Sequence, residues 1–469
     1  VALGDVIVCA GQSNMANTVG NMRIDNEADK DYPNIRLFFQ DASRATTANS
    51  EATNGRWQIG TKANILNFSS TGFVAGKYYY LEQNENVPVG LLYAAVGGTN
   101  IDVWVPSWAY DTDPDLMGNT TTNKFQHFNG MIAPLQKFAV SGVIWYQGES
   151  NTWYGLNYEK KLTALINSWR FGWEDASLPF AVVQLPNNDY SKIYGATRIG
   201  TAIREGQWNV SKHLDNVLTV VSNDTANDTD VHPRDKKMIG QRVAKALTQL
   251  NNPQENFLWH PEFTEMTVQD GKAVLRFNNL GNGLQLLDKS DYHPGFTYPK
   301  YNYPIGFEVR DGDKTEAESP FTLLTSASGI RITDDGTGVE FNTEFTNPEV
   351  RYAWRDCTTD FISAEAPEVP SYGISGQLSA INLGNSEGYP VAPFRTDSAK
   401  YQYIAGIHDP SGGAYNFSPM VTDITLDNEN SNTSTLQIQA YDTDGTVTEV
   451  AVYENDTELG KAIHKENSD

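Results

Sequence analysis

The sequence predicts a doubly wound α/β domain with a parallel sheet, followed by a smaller all-β domain and a short β-rich tail. Up to about residue 255, short apolar runs alternate with amphipathic helical patterns, which is typical of a parallel sheet covered by helices. Beyond that point the apolar segments alternate with polar residues and are separated by Asp-Gly and Gly-Asn turns. We therefore expect domains at 1–255 and 256–405, the second packed on the first, and at 406–469 a linker with a partial immunoglobulin-like module.

The first domain contains candidate strands that are apolar on both faces, as expected for strands buried from both sides. They are Val6–Val8, Val89–Tyr93, Val143–Tyr146, Phe180–Leu185 and Val217–Val221. Apolar residues at helical spacing predict two helices between them. One helix carries Tyr158, Leu162, Leu165, Ile166 and Trp169, and the other, after Pro233, carries Met238, Ile239, Val243, Ala246, Leu247 and Leu250.

The later part of the chain has no helical period, and its pattern predicts β-structure. Its candidate strands are Val274–Phe277, Gly306–Val309, Ile330–Thr333 and Val350–Trp354. In the tail, Thr435–Ala440 and Val447–Tyr453 flank a turn at Asp442–Gly445. This pattern predicts a β-hairpin between those two segments.

Charge and composition narrow the classes of partner. The chain has 34 Lys and Arg against 58 Asp and Glu, a formal net charge of -24, which disfavours nucleic acids and anionic lipid surfaces as partners. No apolar stretch approaches the ~18 residues of a membrane-spanning helix. The acidity itself is explained by solubility and identifies no substrate. The oligomeric state is not predicted.

The lack of cofactor motifs and the positions of the two cysteines exclude further classes of protein. The sequence has no phosphate-binding glycine loop, no H-E-x-x-H motif and no Cys/His cluster, so we expect no cofactor and no metal. Cys9 lies in an apolar run and is far from Cys357, so Cys9 is expected to be a buried apolar residue rather than part of a disulfide framework. Because the chain opens at Val1 without Met, we expect that a leader or a preceding domain was removed, and the localisation expected from this and from the substrate implied below is secreted or periplasmic.

Polar segments follow four of the predicted strands, where ligands bind in parallel α/β sheets. They are Gly11–Met15, Gly97–Asn100, Gln147–Asn151 and, after the acidic stretch 223–230, Val231–Pro233. Each has an ordinary explanation: Ser13 as a helix cap, Gly97 and Gly98 as a tight turn, Glu149 as a satisfied buried carboxylate, His232 as a surface residue. Together they supply a serine, a glycine pair, an amide and an imidazole, which is the set that acyl transfer requires.

In order and spacing these segments resemble the conserved blocks of SGNH hydrolases, and within them the sialate O-acetylesterase-like carbohydrate esterases. The resemblance extends over roughly residues 1–400 and implies the flavodoxin-like SGNH fold. Its further segments are Trp169-Arg170, Leu178–Phe180, Val183–Pro186, Arg204–Gln207, Val350–Trp354 and Val391–Asp397. The tail lies outside it.

The resemblance implies Ser13 as nucleophile and His232 as general base, since a serine hydroxyl attacks only when a base takes its proton. A carboxylate should orient the imidazole. The usual pattern has Asp three positions before the His, whereas position 229 is Thr and Asp230 is two before. We therefore expect Asp230 in this role, with Asp228, Asp224 or Glu149 as alternatives, or a Ser-His dyad.

The resemblance also implies an oxyanion hole made by the backbone N–H groups of Ser13 and Gly98 and the side-chain amide of Gln147. Residues near these donors are candidates for substrate binding or for supporting the site. They are Gln12, Glu149, Asn151 and Trp104. For Trp104 a sugar-stacking role and a packing role are both open.

The implied function is hydrolysis of O-acetyl esters of carbohydrates, foremost O-acetylated sialic acid, through an acetyl-serine intermediate. Acetylated xylan or another plant polysaccharide such as pectin is the alternative substrate, because residues at the acyl site do not specify the alcohol. A non-catalytic carbohydrate-binding protein is the alternative of another class. A glycosidase would need two carboxylates across a cleft, and no carboxylate-centred motif competes with the serine segment.

Overall fold

The computed structural model describes residues 3–110, 116, 124–188, 190, 200–225, 230–293, 298–316, 318–356 and 378–397, and the strands at 420–430, 433–441, 451–454 and 457–461. The candidate carboxylate Asp228 and the second cysteine, Cys357, lie outside these residues.

A seven-stranded sheet forms the centre of the first domain. Its strands are β1 (Asp5–Gly11), β2 (Tyr32–Phe39), β3 (Arg56–Gly60), β4 (Val89–Ala95), β5 (Gly142–Tyr146), β6 (Phe180–Val183) and β7 (Val217–Val220). Their order is β3-β2-β4-β1-β5-β6-β7, and neighbours are parallel except for the antiparallel edge strand β3. All five predicted strands are confirmed, whereas β2 and β3 were not predicted.

Helices cover both faces of this sheet. They are α1 (Ser13–Ala16), α2 (Val19–Met22), α3 (Lys62–Leu66), α4 (Ser70–Glu82), α5 (Tyr158–Gly172), α6 (Gly200–His213) and α7 (Lys236–Asn251). Short 3-10 segments lie at Asp25–Glu27, Ile101–Val103, Ser107–Tyr110, Ala133–Leu135 and Glu149–Asn157, and a π-helical turn at Phe128–Ile132. The helices predicted around Leu162 and Val243 correspond to α5 and α7.

Alternate residues of the central strands face opposite cores. In β1, Ile7 and Cys9 face the core that contains Val243 of α7, and Val8 faces the core that contains Leu162 of α5. All five side chains are fully buried. This two-sided burial explains why the strands are continuously apolar, and it confirms the doubly wound α/β fold. Cys9 is free and buried, and burial raises the pKa of its thiol.

The second domain is built from short antiparallel strands. They are β8 (Phe263–Gln269), β9 (Lys272–Phe277), β10 (Leu284–Leu286), β11 (Phe307–Asp311), β12 (Thr322–Leu323), β13 (Arg331–Ile332), β14 (Gly338–Asn342), β15 (Pro348–Tyr352), β16 (Leu383–Asn385) and β17 (Phe394–Arg395). They form sheets β12-β11-β15-β17, β13-β14-β9-β8 and β10-β16. A 3-10 turn lies at Ser326–Ser328. The expected boundary at residue 255 falls between α7 and β8.

The described strands of the tail form two antiparallel pairs. Strand β18 (Met420–Asn430) pairs with β19 (Thr433–Tyr441), and β20 (Ala451–Glu454) pairs with β21 (Thr457–Lys461). The hairpin predicted from 435–440 and 447–453 stays a prediction, because residues 442–450, which include its turn, lie outside the described residues. Only two residues separate β18 from β19 in the sequence, and such a short connection has a lower entropic cost of closure.

The two domains share a buried polar interface. Arg242 of α7 donates to both carboxylate oxygens of Asp224 at 2.8 and 2.7 Å, and Tyr292 of the second domain donates to the same carboxylate at 2.5 Å. Lys289 of the second domain donates to the backbone carbonyl of Asp224 at 3.3 Å. The segment that leads to His232 is therefore anchored by residues of the all-β domain. Among the described helices, none combines the length and apolarity needed to cross a membrane.

Candidate active site

Three central strands end at the same level, which gathers their following loops at one edge of the sheet. Gly11 is in register with Ala95 of β4 and with Tyr146 of β5. Backbone hydrogen bonds continue one step further, from Gln12 N–H to the Tyr146 carbonyl at 3.1 Å and from Val96 N–H to the Gly11 carbonyl at 3.1 Å. The Ser13, Gly97 and Gln147 loops therefore begin side by side.

Gly11 is required at the point where the serine loop leaves the sheet. Its φ is +141°, and a Cβ there would lie 2.1 Å from the carbonyl oxygen of Tyr146. No larger residue fits so close to that backbone. The glycine lets β1 approach β5 and then turn into α1, whose first residue is Ser13.

The structure brings Ser13 and the glycine pair together. A Cβ built at Gly97 would lie 3.5 Å from the Cβ of Ser13. Gly98 has φ +72° and no atom within 4 Å of its notional Cβ, so the space beside it is open. In the described part of the chain, the Ser13 hydroxyl and the backbone N–H groups of Ser13 and Gly98 have no hydrogen-bond partner. These donors are available to a ligand.

Asn14 connects the serine loop to the histidine loop. Its Nδ2 donates to the carbonyl oxygen of Val231 at 2.9 Å, so neighbours of Ser13 and of His232 are in direct contact. The His232 side chain is 33% exposed, and its Nε2 is buried without a hydrogen-bond partner among the described residues. Ser13 and His232 are thus in adjacent loops, with no hydrogen bond between them in this structure.

The environment of His232 favours the neutral imidazole. Burial lowers the pKa of His232, the nearby charge of Lys236 lowers it further, and Asp230 opposes both effects. A neutral ring with an unpartnered Nε2 can accept a proton, which is the requirement for a general base.

Among the described candidate carboxylates, Asp230 is the one in contact with the His232 ring. Its Oδ1 lies 3.9 Å from Nδ1, longer than a hydrogen bond, and accepts a hydrogen bond from the backbone N–H of His232 at 2.9 Å. Asp224 is engaged by Arg242 at the domain interface. Glu149 is fully buried and accepts a hydrogen bond from Asn14.

The Gln147 amide is engaged within the protein. Its Nε2 faces three oxygen acceptors, Gln12 Oε1 at 3.0 Å, the Thr99 carbonyl at 3.1 Å and Asn151 Oδ1 at 2.8 Å. Its Oε1 accepts from the hydroxyl of Tyr158 at 2.8 Å. An amide nitrogen has two hydrogens for these three acceptors. An oxyanion would therefore have to displace one of them to use this donor.

Gln12 and Asn151 support the loops around the site. Gln12 Oε1 also accepts from the Ser150 N–H at 3.2 Å, and Asn151 Oδ1 accepts from the Ile101 N–H at 2.9 Å. Gln12 is 2% exposed and Asn151 5%. Their amide groups tie the loops that follow β1, β4 and β5 to one another.

Trp104 is a core residue. It is fully buried, its ring stacks on His127 with centroids 5.0 Å apart, and its Nε1 donates to Thr99 Oγ1 at 3.0 Å. This burial excludes the sugar-stacking interpretation and leaves the packing one. The hydrogen bond to Thr99 supports the loop that carries the glycine pair.

Lys236 was not predicted from the sequence, and the structure places it beneath the candidate site. It is fully buried, and its Nζ donates to Asn14 Oδ1 at 2.5 Å. One signal was available: Lys236 follows His232 by four residues at the start of a predicted helix. Across the described residues, no three His, Cys, Asp or Glu side chains are placed to hold a metal ion.

The α/β sheet and the residues at its carboxyl edge define the SGNH type of hydrolase fold. Residues 3–249 match the family described as carbohydrate esterase, sialic acid-specific acetylesterase. This match covers more than half of the chain, which therefore belongs to that family. The resemblance found in the sequence is confirmed.

Individual relatives agree with this assignment. Sialate O-acetylesterases from Homo sapiens and Pongo abelii are each 26% identical over 320 residues, which cover 59% of this chain and 60% of theirs. The Rattus norvegicus sialate O-acetylesterase is 29% identical over 306 residues, covering 52% of this chain and 56% of its own. The chain thus spans at most about 60% of the length of these curated relatives.

A solved structure extends the similarity into the second domain. A carbohydrate acetylesterase from Xanthomonas citri is similar with a TM-score of 0.66 and 27% sequence identity, covering 84% of this chain and 81% of its own. This coverage exceeds the length of the α/β domain alone. The arrangement of an α/β domain with an added β domain is therefore shared with that esterase.

Proposed function

We propose that this protein removes acetyl groups from carbohydrate hydroxyls through an acetyl-serine intermediate on Ser13. The observation that supports the proposal is the Asn14 contact with Val231, because it joins the loop of Ser13 to the loop of His232, whose Nε2 has no hydrogen-bond partner among the described residues. Family membership supports the same chemistry.

The reaction follows from the groups present. Ser13 Oγ attacks the acetyl carbonyl carbon as its proton passes to His232 Nε2, and the carbonyl electrons move onto oxygen. The tetrahedral intermediate then collapses, and the sugar oxygen leaves with the proton from His232. Water repeats the sequence on the acetyl-serine, which releases acetate and restores both side chains.

The oxyanion would be stabilised by the N–H groups of Ser13 and Gly98, which have no partner among the described residues, joined by the Gln147 amide. If Gln147 is a donor, Gln147→Ala should lower kcat by about 10²–10³. The measurement is steady-state hydrolysis of p-nitrophenyl acetate, with Tm recorded in parallel because Gln147 also links three loops. An unchanged kcat would remove Gln147 from the oxyanion hole.

O-Acetylated sialic acid is the proposed substrate, with acetylated xylan or another plant polysaccharide as the alternative. The family description and the named relatives support sialic acid. Acetate release should be measured side by side from O-acetylated sialoglycan and acetylxylan. Faster release from the sialoglycan is expected, and the reverse order would transfer the assignment to plant polysaccharide. Such a substrate also motivates the proposal of a secreted or periplasmic location.

The test of the chemistry compares the wild type with Ser13→Ala. The wild type should release a burst of p-nitrophenol from p-nitrophenyl acetate, and Ser13→Ala should abolish it. Binding without turnover of acetylated glycan by the wild type would instead support a non-catalytic carbohydrate-binding protein.

A further inference from the structure

A buried polar cluster lies beneath the Ser13 and His232 loops, and the proposed reaction does not use it directly. Lys236 Nζ donates to Asn14 Oδ1 at 2.5 Å and lies 4.9 Å from the centre of the Tyr146 ring. Asn14 Nδ2 donates to Glu149 Oε1 and to the Val231 carbonyl. Lys236, Asn14 and Glu149 are each fully buried.

The lysine determines which way the Asn14 amide faces. An ammonium group only donates hydrogen bonds, so it requires the amide oxygen on its side. The amide nitrogen must then face Glu149 and the Val231 carbonyl, which both accept. A reversed amide would place N–H groups against the ammonium and an oxygen against two acceptors. Lys236 therefore selects the rotamer in which Asn14 joins the two loops.

We propose that Lys236 is a positioning residue that holds the Ser13 loop against the His232 loop through Asn14. The inference rests on the proposed function, since it concerns the same pair of reacting groups. Lys236 contacts neither the serine hydroxyl nor the imidazole in any hydrogen bond, so it acts through Asn14 and through its charge.

Stability alone does not explain a lysine at this place. Removing an ammonium from water is energetically costly, and a buried charge is often no more stabilising than an apolar residue of similar size. Burial lowers the pKa of Lys236 to about 7 against the pull of nearby carboxylates, and burial raises the pKa of Glu149. Burial therefore opposes the charged form of both groups, whereas the hydrogen bonds of Asn14 join them to the two loops.

The charge of Lys236 gives the proposal a readout other than rate. The titratable groups around it are His232, Glu149, Asp230, Asp235 and Tyr146. Among these groups, His232 is the one whose titration can be followed by activity, and the charge of Lys236 lowers its pKa. A neutral residue at 236 should raise that pKa, because protonation of the imidazole is then less opposed.

The experiment compares Lys236→Met with wild type in the full chain, using p-nitrophenyl acetate. Misplacement of the two loops should lower kcat by about 10- to 100-fold and leave KM within about two-fold. The acid limb of the kcat/KM profile should move to higher pH. The matched control is Lys245→Met on the same helix, a lysine 48% exposed, which should behave as wild type.

Wild-type kcat together with a wild-type acid limb in Lys236→Met would overturn the proposal. If Lys236→Met does not fold, Asn14→Ala decides instead: it should lose kcat at unchanged KM, and wild-type kcat in that variant would also overturn it. The proposed function fails separately, when the wild type itself shows no turnover that depends on Ser13.

Discussion

At the scale of single residues, the pKa of His232 links the structure to a measurable pH profile. Burial and the charge of Lys236 lower that pKa, and Asp230 only partly opposes them. The general base must be neutral, so activity should persist below the ordinary histidine pKa of ~6.5. The acid limb of kcat/KM for an uncharged acetyl ester should therefore have its midpoint below that value. A midpoint above it would contradict the described environment of the ring.

Asp230 gives a prediction of opposite sign to that for Lys236. Its carboxylate raises the pKa of His232, so Asp230→Asn should move the acid limb of kcat/KM to lower pH. If Asp230 also stabilises the imidazolium, kcat should fall by at least about 10-fold, and by up to ~10⁴ as in other triads.

Glu149→Gln is the comparison for Asp230→Asn, since Glu149 is an alternative carboxylate for the same role. A larger loss of kcat in Glu149→Gln, with a wild-type acid limb in Asp230→Asn, would transfer the orienting role to Glu149.

The candidate site residues proposed from the sequence are those within short motifs. Ser13, Gly98, Gln147 and His232 follow strands, and the sequence places them at one sheet edge. The partners of Asn14 could not be predicted, because Lys236 lies 222 residues away in the sequence. Contacts between such distant side chains depend on packing that no local pattern encodes.

At the scale of elements, the close approach of the end of β1 to its parallel neighbour β5 depends on Gly11. A methyl group there would lie 2.1 Å from the Tyr146 carbonyl oxygen, at a φ of +141°. Gly11→Ala should therefore lower the free energy of unfolding by more than the ~1–3 kcal/mol typical of overpacking. Activity should fall as well, since Ser13 is two residues away. Urea denaturation and p-nitrophenyl acetate turnover measure the two effects.

The control for Gly11→Ala is Gly271→Ala in the turn between β8 and β9. Gly271 has φ +76°, but the nearest atom to its notional Cβ is 3.8 Å away. That variant should show only the backbone cost of ~1–2 kcal/mol for a residue with a side chain at positive φ. Equal destabilisation of both variants would mean that crowding at β5 is unimportant.

In the α/β domain, the strands that the sequence could predict are the ones buried on both faces. Strand β2 was missed because Pro33, Asn34 and Arg36 interrupt its apolar pattern. Strand β3 was missed because it is the sheet edge, and residues such as Trp57 and Ile59 are partly exposed there. Both strands lie at one end of the sheet, separated from β5 by β4 and β1. The site could therefore be located without them.

At the scale of the whole molecule, Asp224 connects the two domains. Burial would raise the pKa of this carboxylate, but Arg242 and Tyr292 hold it below its ordinary value. Asp224→Asn leaves the Arg242 charge buried and unpaired, so the free energy of unfolding should fall by about 3–5 kcal/mol. Urea denaturation at neutral pH measures the loss.

The surface pair of Lys137 and Glu51 is the control for the Asp224 variant. Glu51 is 80% exposed, so Glu51→Gln should change the free energy of unfolding by less than about 1 kcal/mol. The contribution of Asp224 to the free energy of unfolding should be fully present above the unfolded-state pKa of ~3.9. It should be lost as the pH falls through the lower pKa that Asp224 has in the folded state. A small effect of Asp224→Asn would show that the interface does not depend on this ion pair.

The overall architecture could be predicted because its two parts differ in hydrophobic period. The way in which the two parts join could not be predicted, because their interface contains buried polar contacts. In one of them the Val221 N–H donates to His260 Nε2 at 3.0 Å. Burial lowers the pKa of His260 to about 3, so the ring stays neutral and can accept this hydrogen bond. Such pairings follow from the packed structure and not from periodicity.

The most direct measurement of the central claim is to treat the protein with a serine-directed phosphonylating inhibitor and locate the modified residue by peptide mass spectrometry. Because the hydroxyl reacts only with an imidazole to take its proton, the label should be on Ser13 in the wild type and should be largely lost in His232→Ala. A label on another residue, or equal labelling of Ser13 in His232→Ala, would contradict the assignment of Ser13 and His232 as nucleophile and base.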